Sequence, residues 1–417
     1  MHTRGLWRNF LALSILQIGN YLFPLLTFPY LVRVLGPEKF GLVALAQSFI
    51  QFFVVFTDYG FNLSATRAVS RLRRNVDQLG LTFFSVLTIK AGLCVLSLGG
   101  LALTLLWVPR LAAEWRLYLL TFGMVFGAVL FPQWFFQGLE KMEYLTALNV
   151  ASRFLILVLT VLLVREEADY LLVPAINSGV SLACGGVAAA LAWRHLGYRW
   201  VWPTWGDHAA TLRDGLHLFL SQAFATIYNQ LNVFLLGMLT TATSVGYYAA
   251  GEKLVRAVIH LSVPLSAAIF PRVSHMFLHS REETFRFLRR VAFWGGLVFL
   301  GLSLATLFLS PWLVPLVLGR HFGPSVAVVQ ILAVLPLTIF LDNIFGTQIL
   351  INLQRERAFF AVGSIAGVIN LALLFVLVPK LHHLGAAWAY LLCELFILAG
   401  MYFFARRVGF RLYVRGQ

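Results

Sequence analysis

Apolar stretches of about twenty residues or more, enough for a helix to cross a hydrocarbon layer about 30 Å thick, recur about twelve times along this chain. They fall near 9–34, 41–66, 79–107, 115–136, 145–164, 169–193, 214–238, 246–271, 287–310, 325–350, 357–378 and 385–405. Nothing else in the sequence restricts the fold as strongly. In lipid, every backbone polar group must be satisfied inside the protein, so spanning segments are helices or closed barrels. Strand-like alternation is absent, which leaves an all-α polytopic membrane protein. Composition agrees: of 417 residues, 60% are hydrophobic and 12% charged, with a mean hydropathy of +0.82. A soluble domain carries roughly twice that charge, about 25%.

The net charge is +15. With both termini on one side, that side collects Arg4, Arg8, Arg67, Arg71, Arg73, Arg74, Lys141, Arg194, Arg199, Arg213, Arg272, Arg355, Arg357, Arg407 and Arg415 among others. The opposite side holds about a third as many bases, so the termini are expected to be cytoplasmic. No removable signal peptide is expected before the first span, which would act as the targeting signal itself. Residues 194–213 carry Trp200, Trp202 and Trp205 and read as a loop at the headgroup layer. This loop divides the chain into an N-terminal six-helix lobe (1–193), a cytoplasmic interfacial linker (194–213) and a C-terminal six-helix lobe (214–417). The halves resemble each other weakly: 35–47 can be laid on 240–252, and 139–164 on 353–378 at an offset of 214. Both halves begin and end on one side, as parallel repeats do, with a substrate path expected between them.

An ionised group inside hydrocarbon costs at least about 2.5–3.5 kcal/mol, so it marks a protein interior or a wet cavity. Asp58, Asn62 and Thr66 recur every four residues and share a helix face. A wet helix end and a cavity wall both account for them. Four bases fall inside spans: Lys90, Arg153, Lys253 and Arg256. Lys90 also fits a snorkelling side chain, whereas Arg153, one turn after Asn149, lies farther from either surface. Glu252 and Arg256 have the favourable i, i+4 order for an internal ion pair. Asp342 and Glu394 are candidate partners for Lys253 or Arg256 across helices. Pro24 and Pro29 each remove a helical hydrogen bond, which suits either a static kink or a moving bend.

Enzyme chemistry has no foothold in the sequence. Walker, HExxH and GxSxG motifs are absent, and no soluble basic domain exists for nucleic acid. Cys94, Cys184 and Cys393 lie in apolar runs without metal-ligand spacing.

The segments NYLFPLLTFPYLVRVLGPEKFG (20–41), DYGFNLSATR (58–67), VGYYAAGEKLVRAVIHLSVPLSAAIFPRVS (245–274) and the stretch 370–394, ending GAAWAYLLCE, resemble the bacterial lipid-linked oligosaccharide flippases, the Wzx-type polysaccharide exporters. These share a superfamily with multidrug extruders and the lipid II flippase. The resemblance implies two pseudo-symmetric six-helix lobes around a central cavity. It also implies alternating-access flipping of undecaprenyl-diphosphate-linked oligosaccharides to the periplasmic leaflet of the inner membrane. The expected partners are that lipid-linked substrate, membrane lipids, and a polysaccharide polymerase with chain-length proteins. No cofactor is implied beyond a coupled proton or cation. On that reading Lys90, Arg153, Lys253, Arg256, Asn62 and Asn149 line the diphosphate and sugar cavity. Asp58, Asp342, Glu394 and Glu252 are the candidates for ion coupling. A cation-coupled multidrug exporter of the same fold is the alternative. A third reading is a non-transport membrane protein, such as a scaffold for polysaccharide assembly.

Overall fold

The computed structural model describes residues 2–73, 75–197 and 200–411, with side chains from Leu22 onward except those of 221, 224 and 225. The Asn20 side chain and the basic side chains of Arg4, Arg8, Arg74, Arg199 and Arg415 lie outside the described residues. Among those described, the chain is helical with no strand, and nine stretches are long and apolar enough to cross a membrane. Two of the nine contain a sharp backbone break, at Gly36 and His382. The helix Trp205–Leu239 covers the expected seventh span. This arrangement is compatible with twelve crossings.

The chain divides into two compact units, Met1–Gln230 and Leu231–Gln417. In the first, α1 (His2–Asp58) runs through Pro24 and Pro29 without leaving helical geometry and breaks at Gly36, whose φ of 64° is left-handed. Glycine adopts this conformation without steric cost. There follow α2 (Phe61–Leu72), α3 (Val76–Trp107), α4 (Pro109–Ala112), α5 (Trp115–Leu130), α6 (Gln133–Gly138), α7 (Met142–Leu163) and α8 (Leu172–His195). Helix α3 starts where Asn75 Oδ1 accepts the Gln78 N–H at 3.2 Å, a cap worth about 1 kcal/mol. Helices α5 and α8 approach closely because their contact is built from small residues. A Cβ on Gly123 would lie 2.6 Å from Ser178 Cβ, and one on Gly127 2.1 Å from Ser181 Oγ. Close approach through small residues substitutes for the hydrophobic drive that lipid removes.

Helix α8 extends to His195 and α9 (Trp205–Leu239) begins at once after Thr204, and the boundary between the two units falls inside α9. The capping chemistry explains the early start. Asp207 accepts from Thr204 N and Oγ1, both at 2.7 Å, and the Thr204 hydroxyl accepts from Asp207 N. Trp200 packs on Phe84, and Trp200, Trp202 and Trp205 all remain exposed.

The second unit contains the end of α9, then α10 (Ala242–Ile259), α11 (Ser262–His279), α12 (Arg281–Leu318), α13 (Ser325–Leu332), α14 (Leu335–Asn343), a π-helical segment Ile344–Ile351, and α15 (Glu356–Arg407). Thr241 caps α10 and Ser280 caps α12 through the backbone N–H three residues on. Helix α11 runs beside α14 and the π segment along a polar seam. Ser266 Oγ donates to Asn343 Oδ1 at 2.7 Å, Gln348 Nε2 donates to Ser266 Oγ at 3.1 Å, and Ser274 Oγ donates to Asn352 Oδ1 at 2.5 Å. Large apolar side chains such as Leu106, Phe293 and Val368 remain exposed on the outer faces, as a lipid-facing surface requires.

Candidate functional site

Each unit encloses its own cluster of charged and amide side chains. In the first, Asp58 is the last residue of α1, and Tyr59 and Gly60 follow in left-handed conformation, with φ of 47° and 73°. The break lies inside the unit, with Gly60 buried, and side chains tie its two flanks together. Asp58 Oδ2 accepts from Asn62 Nδ2 at 2.8 Å, and Asp58 Oδ1 lies 3.3 Å from Lys90 Nζ. Lys90 Nζ also donates to the Ala128 carbonyl of α5 at 2.9 Å. The Lys90 side chain is 2% exposed and that of Asp58 15%. Snorkelling therefore does not describe Lys90, whose charge is held inside by a carboxylate and a carbonyl. The Thr66 hydroxyl contacts the Asn62 and Trp134 carbonyls at 2.7 and 3.2 Å, so the Asp58–Asn62–Thr66 face is turned toward neighbouring helices. Asn149 and Arg153 stand elsewhere, one turn apart and half-buried on α7.

The start of α9 presses on the same break. Tyr59 stacks on Phe219 with centroids 4.8 Å apart, and a Cβ on Gly60 would lie 2.8 Å from Phe219 N.

In the second unit, Arg256 Nε and Nη2 both reach Glu252 Oε1, at 2.8 and 2.7 Å. Glu252 is buried and Arg256 partly exposed. Tyr390 and Glu394 on α15 are buried, and Tyr390 is within electrostatic reach of Glu394, Glu252 and Arg256. Asp342 of α14 has Glu394 as its electrostatic neighbour, and its Oδ1 is shielded from solvent without a hydrogen-bond partner. The cluster thus joins α10, α14 and α15 and contains three carboxyl groups. Sequence spacing identifies the Glu252–Arg256 pair. It does not foresee that Asp342 comes near another acid, because that proximity arises only from packing. Lys253, beside Glu252 in sequence, is exposed on α10.

Sequence inspection passes over Asn232, Asn370, Tyr248 and Tyr390, all buried. Asn370 Nδ2 donates to Asn232 Oδ1 at 3.0 Å, tying α15 to α9. A lone amide inside an otherwise apolar run is the signal that marks both, since a buried amide needs a partner.

Residues 6–277 match the family model described as "Polysaccharide biosynthesis protein". The chain belongs to that family. Two relatives carry the name "Putative O-antigen transporter". One, from Escherichia coli (strain K12), is 31% identical over 402 residues, 96% of this chain and 97% of the relative. The other, from Shigella dysenteriae, is 27% identical over 391 residues, 93% and 96% of the two chains. Among solved structures, the lipid II flippase MurJ in an inward closed conformation matches with a TM-score of 0.74, 12% identity and coverage of 95% of this chain and 87% of that one. An inward-facing multidrug resistance MATE family transporter of the MOP superfamily matches at 0.72, 12% identity, 93% and 94%. At such identities the likeness is one of fold. This member of the polysaccharide biosynthesis family is an integral membrane protein of the transporter class, not an enzyme.

Proposed function

We propose that the protein flips undecaprenyl-diphosphate-linked oligosaccharide repeat units from the cytoplasmic to the periplasmic leaflet of a bacterial inner membrane, supplying O-antigen or another surface polysaccharide. Transport would proceed by alternating access in a chain of two lobes, 1–193 and 214–417, with both termini cytoplasmic. The observation that carries this reading is the Glu252–Arg256–Tyr390–Glu394–Asp342 cluster, largely enclosed in a spanning unit of a chain whose relatives are named for O-antigen transport. Guanidinium suits phosphate oxygens, which assigns Arg256 and Arg153 to the diphosphate, with Lys253, Asn62 and Asn149 as further contacts. Asp342 and Glu394 would carry a coupled proton or cation. Lys90 and Asp58, already bonded to each other, would shape the break beside the path. Deleting the gene should trap the lipid-linked repeat unit in the inner leaflet and abolish the surface glycan. Normal surface glycan in a strain lacking every paralogue would refute the proposal.

A second reading, a pocket for cationic drugs, is favoured by the three carboxyl groups, Glu252, Asp342 and Glu394, that the cluster brings together. Altered drug resistance with intact glycan in the deletion strain would select that exporter function.

A further inference from the structure

Glu140 and Gln354 stand 214 residues apart, at matching places in the weak internal repeat, and neither is glycine. Both adopt left-handed backbone, with φ of 60° and 57°. The following residue closes the same ring in each unit: Lys141 N donates to the Phe136 carbonyl at 2.9 Å, and Arg355 N to the Leu350 carbonyl at 2.8 Å. The two turns are therefore the same device used twice.

Their chemistry has diverged. In the first unit the turn is closed off. Glu140 pairs with Arg73 at 2.7 Å, the Arg73 Nε donates to the Gly138 carbonyl, and Lys141 Nζ lies 3.1 Å from His195 Nδ1. In the second unit Gln354 replaces the acid at this position, and Arg357 stands where the first unit has Glu143. A cavity of about 680 Å³ opens there, lined by Gln354, Arg355, Glu356, Arg357 and Arg407. It lies where the start and the end of α15 meet. Among the described residues, the Arg355, Arg357 and Arg407 side chains form no hydrogen bond and no ion pair, and Arg407 stacks on Phe403 at 4.5 Å. Three exposed guanidinium groups against one carboxylate, in a space within the range of ligand pockets, suit an anion. The planar fork of arginine matches phosphate oxygens.

We infer that this cavity binds a phosphate-bearing headgroup. The inference does not depend on the transport reading, and the test below separates the two because it measures binding alone. Full-length protein in detergent would be titrated with dioctanoyl phosphatidylglycerol and, separately, with sodium diphosphate. Arg355→Gln/Arg357→Gln/Arg407→Gln should weaken binding at least tenfold. Gln354→Glu, which restores the acid of the first unit's turn, should weaken it several-fold and serves as the independent variant should the triple change disturb folding. Loss of the lipid alone identifies a membrane headgroup as the ligand, whereas loss of diphosphate identifies the free anion. Equal affinity of wild type and Gln354→Glu for both probes would overturn the inference.

Discussion

Lys90 reaches from the middle of α3 to Asp58 at the end of α1, and its ammonium is shared between that carboxylate at 3.3 Å and the Ala128 carbonyl at 2.9 Å. Removing one partner of a buried pair leaves an uncompensated charge and costs about 3–5 kcal/mol, while replacing both is far milder. Lys90→Met and Asp58→Asn should therefore each lower the melting temperature in detergent. The double variant should recover much of the loss. Transport retained in that double variant would assign the pair to structure, and transport lost at recovered stability would assign it to the substrate path.

The left-handed Gly60 is wedged against α9. Gly60→Ala combines a positive φ, about 1–2 kcal/mol for an L-residue, with a Cβ placed 2.9 Å from Leu218 Cβ. Gly99, exposed on α3 with nothing within 4 Å of its would-be Cβ, provides the contrast. Gly99→Ala should be neutral or slightly stabilising, by up to about 1 kcal/mol. Melting curves of the two variants check the difference.

Arg73 holds the Glu140 carboxyl below the usual carboxylate range, first through their hydrogen bond and then through its charge. The folded pKa lies below the unfolded one, so the contribution to stability is fully present above the unfolded value. It is lost as pH falls through the folded value. The melting difference between wild type and Glu140→Gln should be small, present at pH 7, and gone in strong acid. High salt should also reduce it, because the pair is exposed. A difference that grows on acidification would contradict the assignment.

Asp342→Asn and Glu394→Gln should uncouple transport from its driving ion. In proteoliposomes with a proton or sodium gradient, the wild type should respond to the gradient and the variants should not, with at least a tenfold loss of driven flux. Gradient stimulation unchanged in both would remove these carboxyls from the coupling role.

Much of the scaffold is readable from local chemistry. Hydropathy outlines the spans, the caps at Asn75, Thr241 and Ser280 start helices as capping rules require, and the spacing of Glu252 and Arg256 makes their pair. The clusters are less legible because their partners are remote. Asp58 and Lys90 are 32 residues apart, and the third member is a backbone carbonyl that no side-chain pattern encodes. Asp342 lies within electrostatic reach of Glu394 because packing brings α14 onto α15, a proximity that no local spacing encodes. The sharp break at Gly36 falls in the turn expected between the first two spans, at the residue whose φ that turn demands.

The π-helical segment has a geometric consequence of its own. From Asn343 to Asn352 the chain advances nine residues, while its hydrogen-bonded neighbours on α11, Ser266 and Ser274, are eight apart. A π turn holds more residues than an α turn, and Ile344–Ile351 absorbs the surplus so that both ends of the seam stay in step. This is slack built into one strand of a zipper. Were Ile344–Ile351 wound as ordinary α turns, nine residues would overshoot the eight-residue spacing of the serines, and the two serine–asparagine contacts would fall out of step.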